Sequence, residues 1–264
     1  MIKKFRIYFI VLIATWGCEK EIQLPLDQNQ SLLVIDAAIT DEAGPYYVKL
    51  TKSLAVTDVS KFPEITNANV TIKDNFGQSD TLKYTSKGLY LTNKLKGIIG
   101  RTYFLEVQLD GKKYTAQSTM PKKVLLDSLV INYFTLFSET QFSVIPMYTD
   151  PITFGNSYRF IQMINDTLDK TYHVFNDNLN NGKENQRPLN SDSDSLRIKL
   201  NDWVSVEMQS ISSPTYLYYY SLRQLGGAGP GGGTTPANPP SNIIGGALGI
   251  FSAHTVQRKK IQIK

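Results

Sequence analysis

The group in this sequence with the most specific chemistry is the thiol of Cys18, the only cysteine of the chain. A short, mostly apolar run, residues 7–16, lies before it, and the small residue Gly17 immediately precedes it. The run follows three basic residues, Lys3, Lys4 and Arg6. A basic start, an apolar stretch and a small residue at the cleavage point are the features of a secretory signal. We therefore predict a signal peptide over residues 1–17 and a lipid joined to Cys18 through a thioether.

Two other interpretations of this N-terminus stay open: a plain cleaved signal in which the cysteine has no role, and an N-terminal helix buried in the fold. Trp16 is bulkier than the residue usual at that position of a lipoprotein signal. Lipidation is favoured because secreted domains use cysteines in pairs, and a single one needs another explanation. The apolar run has about half of the roughly 20 residues that span a bilayer, so we expect no permanent transmembrane helix. Residues 18–30 are predicted as a lipidated tether.

Acid–base or nucleophilic catalysis has little support in the sequence. The chain has two histidines, His173 and His254. Neither belongs to a His-Glu-x-x-His motif, and no Gly-x-Ser-x-Gly elbow occurs. His254 is expected at the surface or in a turn beside the closing strands. We predict that the protein is not an enzyme. A hydrolase with paired carboxylates, or with His173 in a deep pocket, is a less favoured alternative.

One polar stretch has spacing that suits a cation. Asn190, Asp192 and Asp194 place oxygen atoms at alternating positions, as Ca²⁺ sites do. The glycine turn and the final bidentate Glu of an EF-hand loop are missing, so a solvated polar loop is the favoured interpretation. We predict no metal and no cofactor.

Four tyrosines lie within five positions: Tyr216, Tyr218, Tyr219 and Tyr220. Ser213 and Pro214 suit the N-cap and the first position of a helix, so we predict a helix over residues 214–225 and a Gly/Pro loop over residues 226–241. Tyrosines this close cannot all face the interior, and exposed ones can stack on sugars or hold a partner protein. They are our candidate contact for a ligand or partner. The alternative is a tyrosine-rich core helix with its hydroxyls at the rim.

The elements that must position these residues are mostly strands. Alternating or β-rich runs separated by turns occupy residues 31–120, where Asp110-Gly111 is the strongest hairpin signal. This spacing predicts an N-terminal β-sandwich of immunoglobulin- or transthyretin-like type. Residues 121–123 are predicted as a domain linker.

A second β domain that carries the helix is predicted over residues 124–264. We expect residues 173–196 to be its least regular part, an alternating strand pattern at residues 196–200, and two closing strands at residues 243–252 and 255–263. The fold class is therefore mainly β, with one α-helix.

Composition excludes nucleic-acid binding. The formal charge of +5 comes from 28 Lys and Arg against 23 Asp and Glu. Loss of the signal peptide would leave 25 basic residues against those 23. A nucleic-acid-binding protein needs a clustered basic face, which so balanced a chain does not indicate.

A series of different short motifs is spread in a characteristic order along nearly the whole chain. They are Cys18-Glu19-Lys20-Glu21-Ile22, Leu33-Val34-Ile35, Ile39-Thr40-Asp41, Gly44-Pro45-Tyr46, Val48-Lys49-Leu50-Thr51, Ala68-Asn69-Val70-Thr71-Ile72, Gly77, Gly88-Leu89-Tyr90, Asp127-Ser128-Leu129 and Gly249-Ile250-Phe251-Ser252-Ala253. In these the chain resembles the Bacteroidetes outer-membrane lipoproteins catalogued as domain of unknown function 4249 (DUF4249).

The resemblance implies a location and a partner. Proteins of this kind are often encoded beside TonB-dependent outer-membrane transporters. It therefore implies a lipid-anchored module on the outer membrane, facing the exterior, that serves a transporter without catalysis. Glu19, Lys20 and Glu21 resemble the acidic export signal of such lipoproteins. The ligand stays unknown, and a structural or adhesive surface protein with no small ligand is the alternative.

Overall fold

The computed structural model describes residues 31–54, 61–178, 181–192, 196–226 and 238–264. The predicted signal peptide, Cys18 and the export residues Glu19, Lys20 and Glu21 lie outside these ranges, as does most of the predicted Gly/Pro loop.

The described residues form sixteen strands and one helix. They are β1 (Leu33–Thr40), β2 (Tyr47–Lys52), β3 (Asn69–Asp74), β4 (Ser79–Thr81), β5 (Lys83–Ser86), β6 (Leu89–Leu91), β7 (Thr102–Leu109), β8 (Lys112–Thr119), β9 (Ser128–Leu136), β10 (Glu139–Met147), β11 (Ser157–Ile164), β12 (Thr167–Leu168), β13 (His173–Asn176), β14 (Trp203–Ile211), α1 (Ser213–Gly226), β15 (Ile243–Ile244) and β16 (Leu248–Gln262). The predicted mainly β fold with one helix is confirmed.

The N-terminal strands build a two-sheet sandwich. One sheet has the order β15-β8-β7-β3-β4. It faces five strands, in the order β16-β1-β2-β6-β5, that belong to a second and larger sheet. Alternate side chains fill the first core: Tyr103, Leu105 and Val107 of β7 are buried, whereas Phe104 is exposed. Asp110-Gly111 forms the predicted turn of the β7–β8 hairpin, with positive φ angles of 48° and 76°.

The large sheet continues past the predicted linker, because its order is β12-β11-β14-β16-β1-β2-β6-β5, with β13 also paired to β11. The strand that joins its two halves is β16. It pairs in parallel with β1 through residues 248–254 and antiparallel with β14 through residues 255–262. Phe251 and Ala253 of its first half pack in the first core.

A second core lies under the other half of the large sheet. Strands β11 and β14 cover it from one side, and the β9–β10 hairpin contributes Leu129 and Val144 from the other. Val124 and Leu126, which directly follow the predicted linker, are buried in this core as well. Residues 121–123 therefore lie between residues of the first core and residues of the second, although β16 belongs to both cores.

Three details of the predictions are wrong. The two predicted closing strands are divided differently: a turn at Gly245 and Gly246 separates the short β15 from β16, and β16 then continues without a turn between the two cores. In the stretch expected to be least regular, the described residues beyond β13 form only isolated bridges, as expected, and β13 forms because β11 offers it a free edge. The alternation at residues 196–200 produces only an isolated bridge between Ile198 and Phe142. The helix is capped one residue early: the Ser212 carbonyl accepts the first helical hydrogen bond, from the Tyr216 N–H at 2.9 Å, so Ser213 is its first residue.

Candidate functional site

Helix α1 lies on the outer face of the large sheet, where it contacts β11, β13 and β16. Ile35 and Ala37 of β1 point into the first core, so Asp36 between them lies on the opposite, outer face. Strand pairing extends this alternation across the sheet, since Thr40 pairs with His254 and Arg159 pairs with Gln209. Four polar residues from four strands thus share the outer face: Asp36, Arg159, Gln209 and His254.

The tyrosines of α1 divide into two groups. Tyr219 faces the sheet, with the Arg159 guanidinium carbon 3.9 Å from its ring centroid. Tyr218 stands edge-on to Tyr219 at 5.3 Å between centroids. Tyr216 and Tyr220, one helical turn apart, stack on each other at 5.6 Å with an interplanar angle of 23°. A cation over an aromatic face contributes about 0.5–2 kcal/mol, so Arg159 and Tyr219 help hold the helix on the sheet.

Arg159 also begins a chain of polar contacts that crosses the outer face. Its Nη1 donates to Oε1 of Gln209 at 3.4 Å, and Nε2 of Gln209 donates to Glu207 at 2.6 Å. Arg258 then donates to Glu207 at 2.8 Å and to Glu42 at 2.6 Å. Each charged group in this series of contacts has a partner of opposite charge or an amide. The contacts therefore hold β11, β14 and β16 together, and Arg159 is not left unpaired.

His254 is buried on the same face of the sheet, with 5% of its surface exposed. Its Nδ1 lies 2.9 Å from Oγ of Ser252. Burial, and then the charge of Arg159, lowers the pKa of His254 to about 4, so the imidazole is neutral at pH 7. The prediction of a surface or turn position was therefore wrong, because β16 continues straight through this residue and α1 covers it.

Asp36 is exposed on the outer face of the large sheet, where it pairs with Lys49 of β2. Its side chain reaches solvent, yet burial by the surrounding protein raises the pKa of its carboxyl, although Arg159 and Lys49 act in the opposite direction. Burial and then Asp36 raise the pKa of Tyr47. Burial, Tyr219 and Asp36 raise the pKa of Tyr218 to about 12. The charge of Asp36 thus acts on phenols of both the sheet and the helix.

The other side of α1 faces solvent. Leu217 is 51% exposed and Tyr220 is 41% exposed, and Leu225 near the C-terminal end is exposed as well. Neither predicted interpretation of the helix is complete, because Tyr219 packs on the sheet while Tyr220 stays accessible. Their role as a contact for a ligand or partner stays a prediction.

Comparison with known families agrees with the fold and its motifs. A family model described as "Domain of unknown function (DUF4249)" matches residues 19–260. The chain belongs to this family. No curated protein matches the chain. The resemblance inferred from the motifs is thereby confirmed at the level of the family, whose description assigns no activity to this DUF4249 protein.

A buried His–Asp pair in the DUF4249 fold has the wrong geometry for a hydrolytic triad. Nε2 of His173 lies 3.2 Å from Oδ2 of Asp169, which Gln162 also contacts. The nearby hydroxyl of Ser191 donates to Asp169 at 3.2 Å. A triad needs the nucleophile on the imidazole, with the acid behind it. Although burial opposes it, hydrogen bonds from His173 and Thr171 lower the pKa of Asp169, as expected of a structural carboxylate.

Metal ligands do not converge in the described part of the chain, where no group of three or more His, Cys, Asp or Glu side chains could hold an ion. Of the residues with calcium-like spacing, Asn190 and Asp192 are exposed, and Asp194 lies outside the described residues. Among the described residues, no helix combines the length and apolar character needed to cross a bilayer.

Sequence reasoning located the helix of this DUF4249 protein but missed its partners on the sheet. Asp36 interrupts the apolar run of β1, and Arg159 stands between Tyr158 and Phe160 in β11. A charge within an otherwise apolar strand was the available signal. The two residues are far apart in the chain, so only the strand order brings them to one face.

Proposed function

We propose that this protein is a non-catalytic binding module, anchored by lipid on Cys18 to the outer membrane, facing the exterior, and serving a TonB-dependent transporter. The observation that carries the contact is the solvent side of α1, which presents Leu217 and Tyr220 while Tyr219 fixes the helix from below. Tyrosine is enriched in interface cores and at binding hot spots, and exposed Leu217 adds apolar area one helical turn from Tyr220.

The anchor rests on the sequence. Each buried methylene adds about 0.8 kcal/mol of membrane affinity, and stable attachment needs more than one acyl chain. Palmitate-like chains on the N-terminal cysteine would meet that need. The tether of residues 18–30 would then leave the folded part free to approach a neighbouring membrane protein.

One observation favours the alternative, a structural or adhesive surface protein with no small ligand. The β9–β10 hairpin exposes aromatic side chains at and near its tip, where Phe137 is 94% exposed and Tyr133 is 66% exposed. Exposed aromatics on a hairpin could hold another surface protein rather than a transporter.

A pull-down from native membranes tests the proposal and separates it from the alternative. Tagged protein at native expression is purified in mild detergent, and its partners are identified by mass spectrometry. Leu217→Ser with Tyr220→Ser should reduce the recovered transporter at least about tenfold, a loss of about 1.4 kcal/mol. Tyr133→Ser with Phe137→Ser is the matched control and should leave recovery unchanged.

Three results would contradict this account. Recovery of no transporter with the wild type would remove the partner, and loss of the transporter only in the hairpin variant would move the contact from α1 to the hairpin. Recovery of another surface protein in place of a transporter, lost only in the hairpin variant, would favour the adhesive alternative. The anchor has its own test, because Cys18→Ser should move the protein out of the membrane fraction. Retention in that fraction would show that another segment holds it.

A further inference from the structure

A pocket of about 490 Å³ opens on the outer face of the smaller sheet of the sandwich, β15-β8-β7-β3-β4. Phe104 of β7 lines it with a side chain that is 42% exposed, whereas the side chains on either side of it in β7, Tyr103 and Leu105, are buried in the first core. Ile244 of β15 and Pro214 of α1 add apolar surface to the lining. The pocket therefore has an apolar part, and its volume lies in the range of small-molecule sites.

The strand register surrounds Phe104 with polar side chains. Lys73 of β3 and Gln117 of β8 pair with Phe104 directly, one from each neighbouring strand. Glu106 and Thr115 pair with each other in the next row of the same face. Paired positions share a face, and side chains alternate along each strand, so these groups stand on the same side of the sheet. All of them line the pocket, and the ring is bordered by hydrogen-bonding groups from two adjoining rows.

The edge of the pocket at β15 is fixed by the fold itself. Oδ1 of Asn242, just before β15, accepts from the Phe251 N–H at 3.0 Å, and its Nδ2 donates to the Phe251 carbonyl at 2.8 Å. The same Nδ2 lies 3.2 Å from the Gln117 carbonyl. Ile243 is buried in the first core, and Ile244 faces the other way and is 74% exposed. A preformed pocket lowers the entropic cost of binding a ligand.

Several polar groups of the lining are free to bind. The side chains of Thr115 and Gln117 form no hydrogen bond with any residue that the structure describes, and Lys73 closes no ion pair within that part of the chain. Glu106 lies 2.7 Å from Nζ of Lys113, but a carboxylate has about four lone-pair positions and can accept further hydrogen bonds. The pocket thus offers both donors and acceptors to a ligand.

The combination of these groups selects a class of ligand. An anion would be attracted by Lys73 and repelled by Glu106, and a cation would meet the reverse. A wholly apolar ligand would remove water from Lys73, Glu106 and Gln117 without replacing their hydrogen bonds, which is costly. A pyranose sugar is neutral, has an apolar C–H face that fits an aromatic ring, and carries hydroxyl groups that both donate and accept.

We propose that this pocket binds a carbohydrate, a neutral pyranose sugar that lays its C–H face on Phe104 and exchanges hydrogen bonds with Lys73 and Gln117. Glu106 accepts a hydrogen bond from a further hydroxyl group in the adjoining row. Ile244 bounds the sugar on the side of β15. The site binds the sugar without breaking any bond.

This site is separate from the proposed transporter contact. It lies on the smaller sheet, where Pro214 is the residue of α1 that lines it, whereas the contact uses Leu217 and Tyr220. The protein could bind a sugar without meeting a transporter, and the reverse also holds, so failure of one proposal leaves the other standing.

A glycan array probed with the purified full-length protein, in a detergent without a sugar head group, tests for binding. One set of spots carries free oligosaccharides from plant and bacterial polysaccharides, and a second set carries lipopolysaccharide cores. Binding to the first set would indicate a soluble glycan, and binding to the second a glycan of the cell envelope. Isothermal titration calorimetry then measures the affinity for the strongest glycan. Sorbitol, a linear polyol without a ring face, should bind at least about tenfold more weakly.

Variants then assign the site. Phe104→Leu keeps apolar volume but removes the ring face, and should weaken binding at least about fivefold, whereas Phe104→Tyr should stay within about twofold of the wild type. Gln117→Ala should weaken binding several-fold by removing hydrogen bonds. Phe62→Ala is the matched control, because Phe62 is an aromatic residue of the same half that is 61% exposed and does not line the pocket.

Several results would overturn the proposal. They are the absence of binding to either set of glycans, equal binding of sorbitol, wild-type affinity in Phe104→Leu, and a loss in Phe62→Ala as large as the loss in Phe104→Leu. Thermal unfolding of each variant confirms that its fold is intact. Should Phe104→Leu unfold, Gln117→Ala gives the second test, and unchanged binding by that variant would place the sugar elsewhere.

Discussion

Burial of His254 should make the protein lose stability as the pH falls below about 6.5, the ordinary value of a histidine. In the folded state the pKa of His254 is lowered from 6.5 to about 4, so the unfolded state binds a proton that the folded state rejects. Stability should therefore decrease from pH 6.5 downwards and level off below pH 4. One pKa unit corresponds to about 1.4 kcal/mol, so the full loss is about 3 kcal/mol, and about 2 kcal/mol of it should be present at pH 5.

The perturbation that isolates this effect is His254→Asn, which keeps a polar atom near Oγ of Ser252 and removes the titrating ring. Urea unfolding of both proteins at several pH values between 7.5 and 4 gives the difference in free energy of unfolding. The stability of the wild type relative to the variant should fall by about 2 kcal/mol between pH 7.5 and 5. Carboxylates such as Asp169 titrate alike in both proteins and cancel. Parallel pH profiles would show that α1 does not bury this residue.

Two further predictions concern the strand that joins the cores. Gly249→Ala should cost at least about 3 kcal/mol by thermal unfolding, because φ is +102° and the new Cβ would lie 2.0 Å from the Ile35 carbonyl oxygen. Gly246→Ala, where φ is +86° and nothing lies within 4 Å, should cost only about 1–2 kcal/mol, and equal losses would contradict the close approach of β16 to β1. Phe251→Ala, at a fully buried site, should cost about 3–5 kcal/mol in urea unfolding, whereas Phe137→Ala should stay within about 0.5 kcal/mol. A small loss for Phe251→Ala would place that ring outside the core.

Local patterns of this chain predicted its local elements well. Alternating or β-rich runs predicted the strands of residues 31–120, β7 among them, and Asp110-Gly111 located the β7–β8 turn, because these signals depend on neighbours in sequence. The helix was located for the same reason. The boundary error at Ser212 is one residue.

The arrangement of the strands could not be predicted in this way. The pairing of β1 with β16 joins opposite ends of the chain, and periodicity does not indicate which strand is whose neighbour. For that reason His254 was expected at the surface, and Asp36 was not connected with Arg159 or Tyr219. The short strand β13 depends on a free edge of β11 rather than on its own composition.

Site-specific photocrosslinking in living cells identifies which surface of the protein lies against the transporter. A photoreactive phenylalanine analogue replaces Leu217 on the exposed side of α1 or, as the matched control, Phe137 at the hairpin tip. Illumination should join position 217, and not position 137, to a TonB-dependent transporter in the outer membrane. A product with the transporter from position 137 alone, or no product from position 217 while the protein is correctly placed on the membrane, would contradict the proposed contact.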